Sequence, residues 1–275
     1  MKFINALSST SDCNKWVANS RHPRILHVFD HACNLINERM EVLSIVTPQI
    51  GNGPFNLVIE EDVLFSKHLY AQSPIYIDGN QLHLGALTIT TDKVKPWSPH
   101  PNWERLHVNR DHILDQLTKL PGIQSSVANF QFSNSLLFSL AFAELTPSLI
   151  TAQKLAGLGI GLTPAGDDFI MGAIYAAWII HPPEVARALA EGIANIAMPL
   201  TTSLSTAWLK SASKGEAGIL WHEFFDRLID ADTVRIRAAM DKILAVGETS
   251  GADALAGFIG TFISYAECET RICHS

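Results

Sequence analysis

The spacing of apolar residues changes about a third of the way along the chain. In the first hundred residues they form short runs separated by turn residues, a pattern typical of β-strands. The turn signals include Gly51-Asn52-Gly53-Pro54 and Asp78-Gly79-Asn80. Short strands joined by turns favour an antiparallel sheet or a small barrel. We predict a short helix near 61–70 and strands at 24–30, 41–46, 55–60, 75–78 and 82–90.

The rest of the chain has apolar residues at helical spacing. From about 109 to 267 they recur at i, i+3 and i+4, and Pro and Gly interrupt the pattern. Pro147, Pro183 and Pro199 stand where first-turn prolines are common, and Gly157 and Gly247 stand where C-terminal caps are common. The predicted helices are 109–119, 133–144, 147–157, 165–180, 183–195, 198–212, 217–229, 232–246 and 251–267.

A proline-rich segment separates the two patterns. Residues 95–101 include three prolines in seven positions and can continue neither a strand nor a helix. We therefore place the boundary inside 91–108, between a β-rich N-terminal domain at 1–100 and a helical domain at 101–275. The predicted fold class is α+β, with an N-terminal antiparallel β sheet or small barrel packed on a larger C-terminal all-helical domain.

Two segments of the helical domain share one local pattern. Residues 161–172 and 247–257 each have Gly-x-Thr, a short polar turn, and then Gly-x-Asp-x-x-x-Gly at the start of an apolar stretch. Each is a glycine-rich turn that leads into a helix start, where unpaired N–H groups and a positive dipole end favour anions. We predict that the two motifs meet, with Asp168 and Asp253 lining one cavity.

The first motif has a structural and a functional interpretation. Thr163-Pro164 resembles an N-cap followed by a first-turn proline, which would place Asp167 and Asp168 in the first turn. Acids there stabilise a helix by about 0.3–1 kcal/mol each without any other role. The motif is richer in glycine than one cap requires, which favours close approach of the backbone to a ligand. These glycines are Gly159, Gly161 and Gly166.

The second motif also has two interpretations. Ser250 with Asp253 resembles a capping box in which Asp replaces Glu. Its likeness to the first motif indicates instead that Asp168 and Asp253 face each other. Facing carboxylates suit a divalent cation or hydrogen bonds from a substrate –NH₂ group. Without such a partner they would repel, and the pKa of one would rise.

A run of hydroxyl residues opens another predicted helix. Within 201–206, Thr201 and Ser205 would share one helix face, and Thr202 and Thr206 another. These hydroxyls could bind a small anion, or they could satisfy the helix backbone. Both interpretations stay open at this point.

Composition and charge narrow the classes of partner. The chain has 275 residues, of which 47% are hydrophobic, and a net charge of −7 without a basic run. We expect no nucleic-acid partner and no membrane partner. The N-terminus lacks the pattern of a signal peptide, and the longest apolar runs, such as 169–180, are too short to cross a bilayer. We expect a cytoplasmic protein with reduced thiols; Cys268, Cys273 and His274 as metal ligands are the alternative.

Taken together, the motifs resemble the AllH family, the subunit associated with bacterial oxamate carbamoyltransferase. The family pattern is G-L-T-P-x-x-D-D, then T-T-x-x-S, then G-H-T-S-G-A-D. This chain has matching segments at 161–168, 201–205 and 247–253, in the same order and with the same spacing. The turn at 51–54 fits the N-terminal half of the family more loosely. Glu248 stands where the family often has His.

The resemblance implies the phosphorolysis of oxalurate to oxamate and carbamoyl phosphate, or its reverse, in allantoin catabolism. It also implies partner subunits and a small anionic substrate, while a homo-oligomer stays open. Three acids would accept hydrogen bonds from the carbamoyl –NH₂ or hold Mg²⁺, the candidate cofactor: Asp167, Asp168 and Asp253. The predicted substrate-binding residues are Gly161, Thr163, Gly166, Thr201, Thr202, Ser205, Glu248, Thr249, Ser250 and Gly251.

Phosphate recognition usually needs a cation, and the motifs contain none. Lys154 and Lys210 are the nearest basic residues in sequence, and a partner subunit could supply others. Two rival functions use the same residues. One is a stand-alone metal-dependent hydrolase or lyase, and the other is a non-catalytic subunit that binds a ligand or supports assembly.

Overall fold

The structure is a computed structural model that describes residues 2–120, 122, 124, 125, 127, 132–230 and 232–272, with side chains up to 267. The chain divides into two compact units, Met1–Pro99 and His100–Ser275. The first unit holds the sheet and the second holds the helices described below, so the predicted α+β class is confirmed. No helix in the described part of the chain is long and apolar enough to cross a membrane.

The first unit is a mixed, nearly closed sheet. Its strand order is β2-β3-β4-β5-β1-β8-β7-β6, and β9 pairs with β1. Helix α1 (Ser11–Asn19) follows β1, and a 3₁₀ turn at Phe65–Lys67 occupies part of the helix predicted near 61–70. The strands are β1 (Lys2–Ser9), β2 (Arg24–Val28), β3 (Ala32–Ile36), β4 (Val42–Val46), β5 (Asn56–Ile59), β6 (Ile75–Asp78), β7 (Gln81–Leu84), β8 (Leu87–Thr90) and β9 (Lys95–Pro96).

The sheet also contains parallel pairs, which the turn signals did not predict. Strands β4 and β5 are parallel, as are β1 and β8. The Asn-Gly turn between β4 and β5 is therefore no hairpin. It reverses locally at Gly51, which has φ 77°, and the Asn56 side chain donates to the Gly51 carbonyl while Asn52 accepts from Ser8. Gly85, at φ 55°, similarly splits the single strand predicted at 82–90 into β7 and β8.

Alternate positions of the strands form the core of this unit. Cys33 and Leu35 of β3, Leu43 and Ile45 of β4, and Leu57 of β5 are fully buried in one apolar cluster. Cys13 and Cys33 are free thiols. The alternative metal site at 268–274 lies outside the described side chains.

The second unit contains the predicted helices and one more, α2, among its described residues. The helix predicted at 198–212 is interrupted, because Met198–Leu200 form a 3₁₀ turn and Thr201 is extended. The helices are α2 (Trp103–Val108), α3 (Arg110–Thr118), α4 (Ser133–Ala141), α5 (Leu145–Leu155), α6 (Ala165–Ile180), α7 (Pro183–Ala197), α8 (Ser203–Ser213), α9 (Ile219–Asp230), α10 (Thr233–Leu244) and α11 (Ser250–Ile272).

Helix α6 is the centre of this unit, and all sixteen of its residues are buried. It packs against α11 with the two backbones in contact. A Cβ placed on Gly172 would lie 1.7 Å from the Ala254 carbonyl oxygen, and one placed on Gly257 would lie 2.0 Å from the Phe169 carbonyl oxygen. The same shift of 85 residues converts one contact into the other. The two motifs therefore start a helix pair with local twofold character.

Aromatic side chains fill the space around this pair. The rings of Tyr175 on α6 and Trp221 on α9 lie 5.0 Å apart between centroids, and Trp221 lies 5.6 Å from Phe258 on α11. These distances are in the range where aromatic pairs add stabilisation beyond area burial. The helix pair is thus anchored well beyond its first turns.

We predict that Gly172→Ala lowers the free energy of unfolding by about 1–3 kcal/mol or more, because the added methyl group would overlap a backbone carbonyl that cannot move alone. Urea unfolding of wild type and Gly172→Ala measures this difference in free energy. Gly192→Ala on α7 is the matched control, since its Cβ would meet only the side-chain ends of Leu145 and Leu149. We expect that control to stay within about 1 kcal/mol of wild type. Equal stability of Gly172→Ala and wild type would contradict the close packing.

Candidate functional site

The two glycine-rich motifs touch at their helix starts. The hydroxyl oxygens of Thr163 and Ser250 are 2.8 Å apart, within hydrogen-bond distance. The predicted contact between the motifs is therefore confirmed, whereas the predicted caps are wrong. Pro164 is the N-cap residue of α6 and makes no side-chain cap, which leaves the Thr163 hydroxyl to reach across. Ser250 is the first residue of α11, and its hydroxyl joins the other motif.

The glycines of the motifs have two separate uses. Gly159 and Gly161 have φ of 120° and 99°, a backbone region that side chains rarely adopt. Gly166 and Gly251 instead allow close approach to the preceding helix. Their Cβ atoms would lie 2.1 Å from the Leu155 carbonyl oxygen and 1.8 Å from the Ile243 carbonyl oxygen. Gly166 and Gly251, predicted to bind substrate, are thus packed against protein backbone.

Asp167 ties three segments together. One carboxyl oxygen accepts the Gly157 N–H at 2.9 Å, and the other accepts the Thr201 hydroxyl. Burial raises the pKa of Asp167, while the Thr201 hydroxyl, the Gly157 N–H and the nearby Ser205 hydroxyl oppose that rise. Because both oxygens already have protein partners, Asp167 fixes the geometry of the glycine loop and the turn before α8.

The hydroxyl run before α8 is largely used for folding. Thr202 is the N-cap of α8, accepting the Ser205 N–H at 3.1 Å, and its hydroxyl donates to the Leu162 carbonyl at 2.5 Å. Thr206 donates to the Met198 carbonyl. Thr201 lies before the helix, so it does not share a helix face with Ser205 as predicted. The hydroxyls of Thr201 and Thr202 therefore already serve internal bonds.

Asp168 lies in a different environment from its neighbour. It is 6% exposed, and its Oδ2 atom has no hydrogen-bond partner among the described residues. Burial raises the pKa of Asp168 to about 8; the hydroxyls of Ser250 and Thr163 offset part of the rise, and the charges of Asp167 and Asp253 add to it. At pH 7 the carboxyl is therefore mostly protonated, and it can donate a hydrogen bond as well as accept one.

Asp253 occupies the matching place on α11. It is 0% exposed, and its Oδ1 atom accepts the Ser125 hydroxyl at 2.7 Å. The charge of Asp253 is among the causes that raise the pKa of Asp168. That the two carboxyls line one cavity stays a prediction. Sequence reasoning missed Ser125, because it belongs to no motif and lies between α3 and α4, far along the chain from Asp253.

Ser205 is the second buried side chain with an unsatisfied atom at this place. It is 1% exposed, and its hydroxyl lies near the Asp167 carboxyl without forming a hydrogen bond of normal geometry to any described residue. An unsatisfied buried polar group costs about 1–3 kcal/mol, so such groups often mark a ligand site. Ser205 lies beside Asp167, the residue that precedes Asp168 in the first turn of α6.

Two family models match this chain. Residues 155–262 match the model described as oxamate carbamoyltransferase subunit AllH. Residues 5–96 match the AllH family N-terminal domain. The chain belongs to the AllH family. No solved structure matches the chain. In this AllH chain both motifs, the hydroxyl run and the site acids fall inside the first matched range.

Several residues predicted for the site of this AllH chain are exposed. Glu248 and Thr249 are exposed, so they do not belong to the buried group. Of the predicted cations, Lys154 packs over the Phe132 ring, with its Nζ atom 4.1 Å from the centroid. Lys210 is exposed in the last turn of α8.

The three acids do not fit a Mg²⁺ site. Among the described residues of this AllH chain, no three His, Cys, Asp or Glu side chains come together as a metal-binding group. Asp167 has both oxygens bonded within the protein. A hard divalent cation prefers ionised oxygen ligands with free lone pairs. The chemistry proposed below therefore involves no metal ion.

We predict that the free energy of unfolding of the wild type decreases between about pH 4 and pH 8, and that Asp168→Asn abolishes this decrease. In that range the unfolded chain ionises Asp168 while the folded AllH chain keeps its proton, so the free energy of unfolding decreases as pH rises. Asn cannot ionise, and its advantage over Asp should grow with pH to at most about 5 kcal/mol. Urea unfolding from pH 5 to pH 8 measures it. If the free energies of unfolding of wild type and Asp168→Asn changed in parallel with pH, Asp168 would not be protonated in the folded chain.

The neighbouring substitution should act in the opposite direction. Asp167→Asn replaces one of two acceptor oxygens by a donor that faces the Gly157 N–H or the Thr201 hydroxyl. We expect a loss of about 1–3 kcal/mol of unfolding free energy at pH 7. Thr201→Val should cause part of the same loss, and the two effects should be less than additive. Full additivity of the two substitutions would argue against the shared hydrogen bond.

Proposed function

We propose that this chain is a subunit of an oxamate carbamoyltransferase-like enzyme that acts on a small carbamoyl or ureido acid and carbamoyl phosphate. The family match to a carbamoyltransferase subunit supports the reaction class. The main support for the proposed site is Asp168. It is a buried and mostly protonated carboxyl with an unsatisfied oxygen, and it lies where the two family motifs meet.

Asp168 would recognise the carbamoyl group. A carbamoyl group offers one carbonyl oxygen and N–H donors. A protonated carboxyl matches it, because its O–H donates to the carbonyl oxygen and its other oxygen accepts an N–H. A carboxylate would only accept. The Ser205 hydroxyl, beside Asp167, would provide a further donor or acceptor.

The same hydrogen bond would assist the reaction. In phosphorolysis, an oxygen of hydrogen phosphate bonds to the carbamoyl carbon, the C–N bond breaks, and the proton of the hydrogen phosphate passes to the nitrogen of the leaving oxamate. Negative charge grows on the carbonyl oxygen during this attack. A buried neutral acid that donates to this oxygen stabilises that charge strongly, because water does not compete. Asp253 and Asp167 would act on Asp168 by keeping its proton bound.

Two hydroxyls at the helix starts would orient Asp168 toward the substrate. The hydroxyls of Thr163 and Ser250 hydrogen-bond each other and also the Asp168 carboxyl. The N-termini of α6 and α11 add a favourable field for negative charge. Carbamoyl phosphate also needs a cation, and partner subunits would supply it.

The experiment is a thermal shift with carbamoyl phosphate, oxamate or oxalurate, on the chain alone and on the complex reconstituted with its companion subunits. We expect stabilisation of the wild type and of Asp168→Asn, whose amide also has a donor and an acceptor, and none in Asp168→Ala, which has neither. Glu184→Ala is the matched control, since Glu184 is an exposed acid in the first turn of α7. It should keep the wild-type shift.

Turnover by the reconstituted complex separates the rival functions. Carbamoyl transfer should fall by about 10²–10³ in Asp168→Ala, as for the loss of a donor to a developing oxyanion. Unchanged turnover in Asp168→Ala would instead identify a non-catalytic subunit. An equal ligand shift in wild type and Asp168→Ala would show that Asp168 does not bind the substrate.

A further inference from the structure

Exposed aliphatic side chains surround the start of both motifs. Five of them form what we call the site-rim patch: Leu158, Ile160, Leu162, Leu200 and Val246. Ile160 is 96% exposed, an extreme value for an isoleucine. The first three lie on the glycine loop before α6. Leu200 adjoins that loop, because a Cβ on Gly157 would lie 2.3 Å from the Leu200 carbonyl oxygen.

The two motifs expose an aliphatic residue at the same place. Ile160 directly precedes Gly161 of the first motif, and Val246 directly precedes Gly247 of the second. One exposed aliphatic residue needs no explanation, but a matched pair beside a buried polar site indicates a shared use. The patch thus follows the repeated pattern of the motifs.

The loop holds its aliphatic side chains outward. Its backbone is fixed by the bond from the Gly157 N–H to Asp167, by the Gly166 N–H to the Leu158 carbonyl at 2.9 Å, and by the Thr202 hydroxyl to the Leu162 carbonyl. A segment bonded at these positions cannot turn Ile160 inward without breaking them. The exposed patch is therefore built into the loop.

The patch is continuous with the candidate site. Leu162 directly precedes Thr163, which bonds Ser250, and the Val246 carbonyl accepts the Gly251 N–H at 3.1 Å in the first turn of α11. A surface that covers the patch would thus lie against the helix starts that flank Asp168.

We propose that the site-rim patch binds a companion subunit that presents an apolar groove bordered by at least one Arg or Lys, and that this cation reaches the anionic substrate. This inference rests on the proposed function. The charges around Asp168 indicate which partner covers the site-rim patch. The groups that influence Asp168 are hydroxyls and carboxyls of the described residues, and the substrate is an anion. A second copy of this chain, with its net charge of −7, would match that need poorly.

The test measures binding of the full chain to its co-expressed companion subunits by biolayer interferometry. We expect Ile160→Asp to weaken binding by at least about tenfold. A charge buried at the centre of an apolar interface lowers the binding affinity by at least that factor. Val234→Asp is the matched control. Val234 is exposed in the first turn of α10, about 15 Å along the helix axis from its C-terminal end and the Val246 turn. It should stay within about twofold of wild type.

Each other outcome is decisive. Unchanged binding of Ile160→Asp, or no binding of the wild type to any companion subunit, overturns the proposal. A wild-type homodimer that Ile160→Asp converts to a monomer assigns the patch to a second copy, and also overturns it. Melting temperatures equal to wild type show that the variants are folded. A complex that forms through Ile160 yet transfers no carbamoyl group supports the docking surface while it refutes the proposed function.

Discussion

The contact between the backbones of α6 and α11 determines the rest of the helical unit. At Gly172 and Gly257 each helix lies against a carbonyl of the other, and no larger residue fits there without a shift of one helix. Dispersion energy falls steeply with separation, so a close approach adds many small contacts along the pair. It also fixes where the two helix starts lie. Thr163 can reach Ser250 because the helices behind them are this close.

The same contact explains why one acid keeps its proton. Asp168 and Asp253 lie four residues before Gly172 and Gly257, one turn from the closest approach. Close packing excludes water from Asp168 and brings Asp253 near it, in addition to its chain neighbour Asp167, and each effect favours the neutral form. A looser helix pair would admit water and let the carboxyl ionise. The chemistry that we propose therefore depends on two glycines that touch no substrate.

Much of the helical unit could be predicted from the sequence, because its signals are local. Helix α6 has the predicted bounds, since one long apolar run lies between Pro164 and Pro182. The caps could not be predicted with the same success. Thr163 and Ser250 have the residue types of caps, yet their hydroxyls form a long-range bond that no local rule contains. Likewise Ser125 approaches Asp253 only through the fold.

In the β-rich unit the positions of most strands could be predicted, whereas their partners could not. An Asn-Gly pair reports a local reversal of the backbone, and the reversal at Gly51 is real. It does not report which strands pair, and β4 and β5 run parallel. Strands β1, β3 and β9 were missed, although β1 lies between β5 and β8 in the sheet and β3 lies between β2 and β4. Only alternate residues of β1, such as Ile4 and Ala6, are buried, and so its sequence forms no continuous apolar run.

The shift of 85 residues that relates the helix pair places Ala252 opposite Asp167. One half of the pair thus has two consecutive acids, and the other has one. The extra acid is the one that bonds the glycine loop and the turn before α8. The two halves of the pair therefore repeat in geometry but differ in chemistry, because only the first has an acid at this position that hydrogen-bonds the neighbouring segments. Adding such an acid at Ala252, or removing Asp167, would change the rigidity of one motif and leave the acid of the other motif in place.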